Sequence, residues 1–292
     1  MPAKTSLASI PLGIAARTLL LVLGVICGGL STRLYASDFQ SARTAGIGGA
    51  GHAGPLFTDA IYLNPSYLSL LSGFALSSDY VLYNGSSNSV PNGMAYQVAA
   101  IASYPVLPVQ FGIGYSRFDN GQLIHGALSR EIFNRLTIGL GVKFLSTNSF
   151  WNGNTLGDGS GSLTAIFTDW LRMAVVVDNL TESMATTGYF REYTLGVKVT
   201  PVPFLSIHLD PHWNANSYWG FEAGAELNFW EYFFFRLGGF KAAEVSHLGL
   251  RGDGLGSGIG VIFPFFSVEY GFLITLSPLV SMAHNFGLSV HF

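Results

Sequence analysis

The chain has 292 residues, of which 49% are hydrophobic and only 11% charged, and its formal net charge is −3. After the first forty positions no apolar run of about eighteen residues occurs, which excludes a bundle of membrane-spanning helices. With no block of Lys and Arg, nucleic acid is not an expected partner.

Residues 1–36 have the pattern of a cleaved export signal. Lys4 and Arg17 precede the apolar stretch 18–30, and Leu34-Tyr35-Ala36 supplies a cleavage site before Ser37. Cys27 follows Ile26, where lipidation requires a small residue, so no lipid anchor is expected. Cleavage removes the single cysteine, and with it thiol nucleophiles and Cys-based zinc sites. It leaves 11 basic against 17 acidic residues, a net charge of −6.

Residues 37–72 form a separate unit. The run from Gly46 to Gly54, with Gly48, Gly49 and His52, is too glycine-rich for a regular strand or helix. Thr58 is placed to cap a short helix beginning at Asp59. We read this unit as a compact hatch with Gly46, Gly48, Gly49, His52, Asn64 and Pro65 as its candidate gate. Asn64 has the donors and acceptor to tie the short helix to a surrounding wall.

Residues 73–292 alternate with period two. In 135–144, Leu136, Ile138, Leu140, Val142 and Phe144 share one face, and Arg135, Thr137, Gly139, Gly141 and Lys143 share the other. Apolar side chains facing lipid, with glycine and polar groups facing a lumen, define a transmembrane antiparallel β-barrel. Strands are predicted at 74–84, 93–104, 109–118, 121–131, 135–147, 160–169, 171–180, 190–200, 203–210, 218–229, 232–240, 254–263, 265–275 and 282–292. The expected fold is therefore all-β, an outer-membrane barrel of about 14 strands behind a short hatch. Links after even-numbered strands are tight, as at Trp170 and Pro264, while those after odd-numbered strands are longer and polar. That asymmetry places both termini in the periplasm.

Parity sets Arg135, Lys143, Arg172, Asp178, Lys198, His208, Asp210, Glu222, Glu226, Arg236 and Glu269 on the lumen side. Both signs are present, so the expectation is that opposite charges bridge hatch and wall; a conduit selecting solutes by charge is the alternative. Other constellations dissolve. His208, Asp210 and His212 share a face, but Pro211 is expected to end that strand, and no metal site is assigned. Ser281 and His284 point to opposite faces, so no hydrolytic dyad forms and no enzyme activity is expected. Arg251-Gly252-Asp253 is read as a glycine turn in an exposed loop. No cofactor is expected.

The chain ends on Phe292, with Phe286, Leu288 and Val290 at every second position before it. A closing strand with an aromatic terminus is the signal by which barrel-assembly machinery takes up outer-membrane barrels.

The segment SARTAGIGGAGHAGPLFTDAIYLNPSYLSLL resembles the entry segment of the FadL-type outer-membrane proteins and their PorV-like relatives. The matches are Ser41, Ala42, Arg43, Gly46, Gly48, Gly49 and Ala50, then Asn64-Pro65. The resemblance implies a 14-stranded barrel with an N-terminal hatch and, in transport members, passage of hydrophobic molecules. Ser66 stands where the family has Ala. The 256 residues after residue 36 allow only about 18 per strand and connection, which leaves little chain for long ligand-collecting loops. The expected function is thus a channel for small hydrophobic or amphipathic molecules, surrounded by outer-membrane lipid. The competing expectation is a structural or secretion-accessory barrel that binds protein partners and transports nothing.

Overall fold

A computed structural model describes residues 40–85, 92–119, 121–146, 155–185, 190–214, 219–245, 248 and 250–292. The export signal at 1–36 and much of the links after several odd-numbered strands lie outside the described residues. No helix among the described residues is long and apolar enough to cross a membrane.

Fourteen antiparallel strands close into a barrel in which each pairs with its sequence neighbours and β14 returns to β1. They are β1 (Gly73–Gly85), β2 (Gly93–Ser103), β3 (Gln110–Phe118), β4 (Gly121–Phe133), β5 (Leu136–Ser146), β6 (Thr155–Thr168) and β7 (Leu171–Asp178). The second half comprises β8 (Glu192–Val202), β9 (Leu205–Asn214), β10 (Trp219–Phe229), β11 (Phe233–Val245), β12 (Leu250–Ile262), β13 (Phe266–Ser277) and β14 (Ser281–His291). Closure satisfies every edge, which is what permits sheet to stand in a bilayer. At the seam Ala75 pairs with His291 and Tyr80 with Phe286. Phe292 extends it by exchanging backbone hydrogen bonds with Phe74 at 3.0 and 2.9 Å.

The alternation holds in space. Leu140 is 60% exposed on the outer face, while its neighbours Gly139 and Gly141 are buried inward. Around the barrel Ile113, Leu128, Leu237 and Ile259 repeat the exposed apolar band. Trp170, Phe204, Trp230 and Phe265 stand exposed at the end carrying the short turns. At the opposite end Tyr193, Trp213 and Trp219 stack in a row across β8, β9 and β10, with ring centroids 5.6 and 5.4 Å apart. Two aromatic levels flanking an apolar band mark the two interfaces of a membrane-spanning barrel. We call the two ends the turn end, where the chain enters β1 and leaves β14, and the loop end.

Several expectations are corrected. Pro211 does not end β9, which continues to Asn214. The β8–β9 ladder is interrupted at Pro211, between Thr194↔His212 and Val197↔Leu209, while Pro211 keeps its place opposite Phe221 of β10. Arg251-Gly252-Asp253 lies within β12 rather than in a loop, because β12 begins at Leu250 and pairs with a longer β11. Strand β6 likewise begins at Thr155, five residues before its predicted start. Arg135 is not luminal: it sits in the β4–β5 turn with φ +76° and reaches Asp169 at the surface, 3.3 Å away. Parity was extended one residue past the strand, where the turn rotates the side chain out.

Candidate functional site

The segment before β1 folds inside the barrel. Ser41 caps a short helix, Ala42–Gly46, by accepting from the Thr44 N–H at 3.2 Å. The chain then turns through Gly48 and Gly49, at φ +68° and +89°, a conformation that non-glycine residues rarely adopt. A 3-10 turn, Phe57–Asp59, leads into the helix Ala60–Leu63 and a second 3-10 segment, Pro65–Leu70. Thr58 does not cap the helix; its hydroxyl bonds Ser77 Oγ on β1 at 2.5 Å instead.

Glycines of the wall explain how backbone fits against backbone. A Cβ at Gly238 of β11 would meet Ile47 carbonyl oxygen at 2.2 Å, and one at Gly256 of β12 would meet the Ala45 oxygen at 2.1 Å. On the opposite wall Gly139 of β5 faces the Pro65–Ser66 peptide, with a Cβ there 2.1 Å from Ser66 N. Luminal glycine is thus a docking surface for the hatch.

Polar groups then fix it. Arg43, only 2% exposed, binds Glu226 of β10 through Nε at 3.0 Å and Nη2 at 2.6 Å. Glu226 also receives Arg236 Nε at 2.9 Å and pairs with His208 Nε2 at 3.1 Å, while Arg236 Nη1 continues to Glu269 at 2.7 Å. The chain Arg43–Glu226–Arg236–Glu269 balances two positive charges with two negative ones, the condition under which buried charge is tolerated. Asp59, in the hatch and 3.9 Å from Arg43, has its carboxyl pushed up to about 6 by burial despite that pull.

Further ties follow the same rule. Asp210 of β9 accepts from the Gly51 N–H at 2.6 Å, the His52 N–H at 2.9 Å and His52 Nδ1 at 2.8 Å. Asn64 donates from Nδ2 to the His52 carbonyl and to Thr164 Oγ1 of β6, both at 2.7 Å, and caps the Pro65–Leu70 segment through Ser66 N–H. Lys143 pairs with Asp178 at 2.5 Å, and Arg172 donates to the Tyr67 hydroxyl. Lys198 lies against Gly54, where a Cβ would come within 2.5 Å of its Cδ. His212 pairs with the Ala242 carbonyl at 3.3 Å, so His208, Asp210 and His212 each have separate partners and do not converge.

Arg135 thus lies in a turn, while Lys143, Arg172, Asp178, Lys198, His208, Asp210, Glu226, Arg236 and Glu269 make these contacts with the hatch or with one another, and Glu222 abuts Gly49. Arg43 was matched only by resemblance, although an arginine within a Gly- and Ala-rich segment was its signal. Sequence reasoning also missed a change along the luminal rows. Toward the loop end the inward positions become apolar: Val81 and Tyr83 of β1, Phe118 of β3, Leu123 of β4, Leu145 of β5, Phe240 of β11 and Leu273 of β13 join Met184 in one buried cluster. The cluster reaches the hatch at Ala45.

Solved structures share this fold. Superposition gives a TM-score of 0.60 with the toluene transporter TbuX of Ralstonia pickettii, at 14% identity over 87% of this chain and 98% of that one. The CymD monoaromatic hydrocarbon channel gives 0.63, at 11% identity over 86% and 97%. The toluene transporter TodX of Pseudomonas putida gives 0.60, at 11% identity over 89% and 99%. The fold is that of the FadL-type outer-membrane barrels. No protein-family model and no curated protein sequence matches the chain. Identities this low carry the barrel fold alone and leave function and cargo open.

Proposed function

We propose that this FadL-type barrel is an outer-membrane channel for small hydrophobic or amphipathic molecules, with residues 46–66 as its gate. The loop end faces outward, and the turn end with both termini faces the periplasm, in keeping with short periplasmic turns. The buried apolar cluster at the loop end of the lumen carries this reading. A barrel needing only a plug would be served by polar luminal rows throughout, whereas an apolar outer lumen favours entry of apolar solutes. The likeness to toluene transporters and a monoaromatic hydrocarbon channel supports the same solute class.

One observation favours the alternative of a non-conducting barrel that binds protein partners: the hatch is held by the Arg43–Glu226–Arg236–Glu269 chain. Deleting residues 41–56 separates the readings. A channel whose gate is removed takes up a hydrophobic dye faster in reconstituted vesicles. An assembled deletion variant as tight as the full chain, and deprived of an envelope-protein partner, supports the alternative.

A further inference from the structure

At the loop end of the hatch, three side chains from separate parts of the fold converge. His52 comes from the hatch, Asp210 from β9 and Glu222 from β10, and one potential ligand atom from each lies within 4.8 Å of the others. Their hydrogen bonding is incomplete. Glu222 is 9% exposed, and its carboxylate has no hydrogen-bond or ion-pair partner among the described residues. Asp210 is fully buried; its Oδ2 holds the hatch loop, while its Oδ1 has no partner. Two buried carboxylates with spare oxygens, side by side, demand a positive charge or a proton.

Space and chemistry are both suited to a cation. His52 and Glu222 line a cavity of about 100 Å³, shared with Asp178, His212 and Glu244, which has room for an ion and water ligands. His52 Nδ1 faces Asp210 Oδ2 across 2.8 Å, a spacing usual for two donors of one ion, so with the ring proton on Nε2 the imidazole lone pair and the carboxylate serve the same cation. One imidazole and two carboxylates, with no thiolate, form a donor set for borderline divalent ions such as Zn²⁺.

We propose that His52, Asp210 and Glu222 form a divalent-cation site of the Zn²⁺ class that pins the hatch loop to β9 and β10. Binding displaces any proton held by the carboxylates and places the cation between hatch and wall. The site stands independently of the solute the barrel carries.

The test uses the untagged full barrel in detergent, stripped with a chelator and titrated with ZnCl₂ by calorimetry. Binding of about one Zn²⁺ per chain is expected, with affinity reduced at least about tenfold in Glu222→Gln and in His52→Gln. Heat-modifiability on gels establishes that each variant is folded. Zn²⁺ should also raise the unfolding temperature of the wild-type barrel and leave that of Glu222→Gln unchanged. X-ray absorption at the zinc edge of the wild type should show one imidazole in the first shell, which keeps the test decisive should a variant fail to assemble. No binding by the wild type at about 100 µM Zn²⁺, undiminished binding in both folded variants, or two or more imidazoles around zinc would each overturn the proposal.

Discussion

Arg43 of the hatch and Glu226 of β10, 183 residues apart in the chain, meet through two hydrogen bonds of 2.6 and 3.0 Å inside the lumen. Glu226 simultaneously takes Arg236 and His208. Removing Arg43 leaves a buried carboxylate short of its hatch partner, and breaking a buried pair from one side costs about 3 to 5 kcal/mol. We expect Arg43→Met to lower the urea midpoint of unfolding by a corresponding amount and to raise dye uptake by loosening the hatch. Unchanged stability would show that Arg236 and His208 suffice for Glu226.

The register makes a second prediction. Leu140 projects from the outer face of β5, so Leu140→Arg should destabilise the folded barrel by about 2 to 4 kcal/mol in a refolding series. Leu140→Phe, which keeps that face apolar, should be near neutral. Equal losses from both would place Leu140 away from lipid.

Gly141, one residue on, is a tight position rather than a permissive one. A Cβ there would lie 2.2 Å from Ser160 Oγ and 3.2 Å from Pro65 Cγ, so a side chain at this position must turn Ser160 aside and shift Pro65 of the hatch by a few tenths of an ångström. Gly48 is tighter still, combining φ +68° with a Cβ position 2.5 Å from Gly239 N. Gly48→Ala is expected to cost about 1 to 3 kcal/mol from strain and overpacking, read from heat-modifiability melting. A stability equal to wild type would mean that the hatch loop does not dock on β11.

The terminal strand closes the barrel, and its outer face carries Phe286, Leu288, Val290 and Phe292. Deleting Phe292, or replacing it with Asp, removes the apolar terminus and should lower the yield of assembled barrel in outer-membrane fractions. Because Phe292 also bonds Phe74, refolding of the purified variant in detergent separates lost recognition by assembly machinery from lost closure. Normal outer-membrane yield from both variants would remove the terminal residue from the assembly signal.

How much of this was legible in the chain depends on the range of the interaction. Period-two alternation, as in Leu136 to Phe144, is local, and it determined the outward face, the strand number and the luminal side of Lys143, Asp210, Glu222 and Glu226. Parity failed at Arg135 because a turn residue obeys its own backbone, and a proline rule failed at Pro211 because the neighbouring ladder has a gap there. Which charge meets which could not be read at all. Arg43 finds Glu226, and His52 finds Asp210 and Glu222, only when barrel closure sets the register of fourteen strands and the hatch glycines seat against the wall. A sequence carries the sign and the face of each luminal group. Distance across the lumen, and hence pairing, is a property of the closed barrel alone.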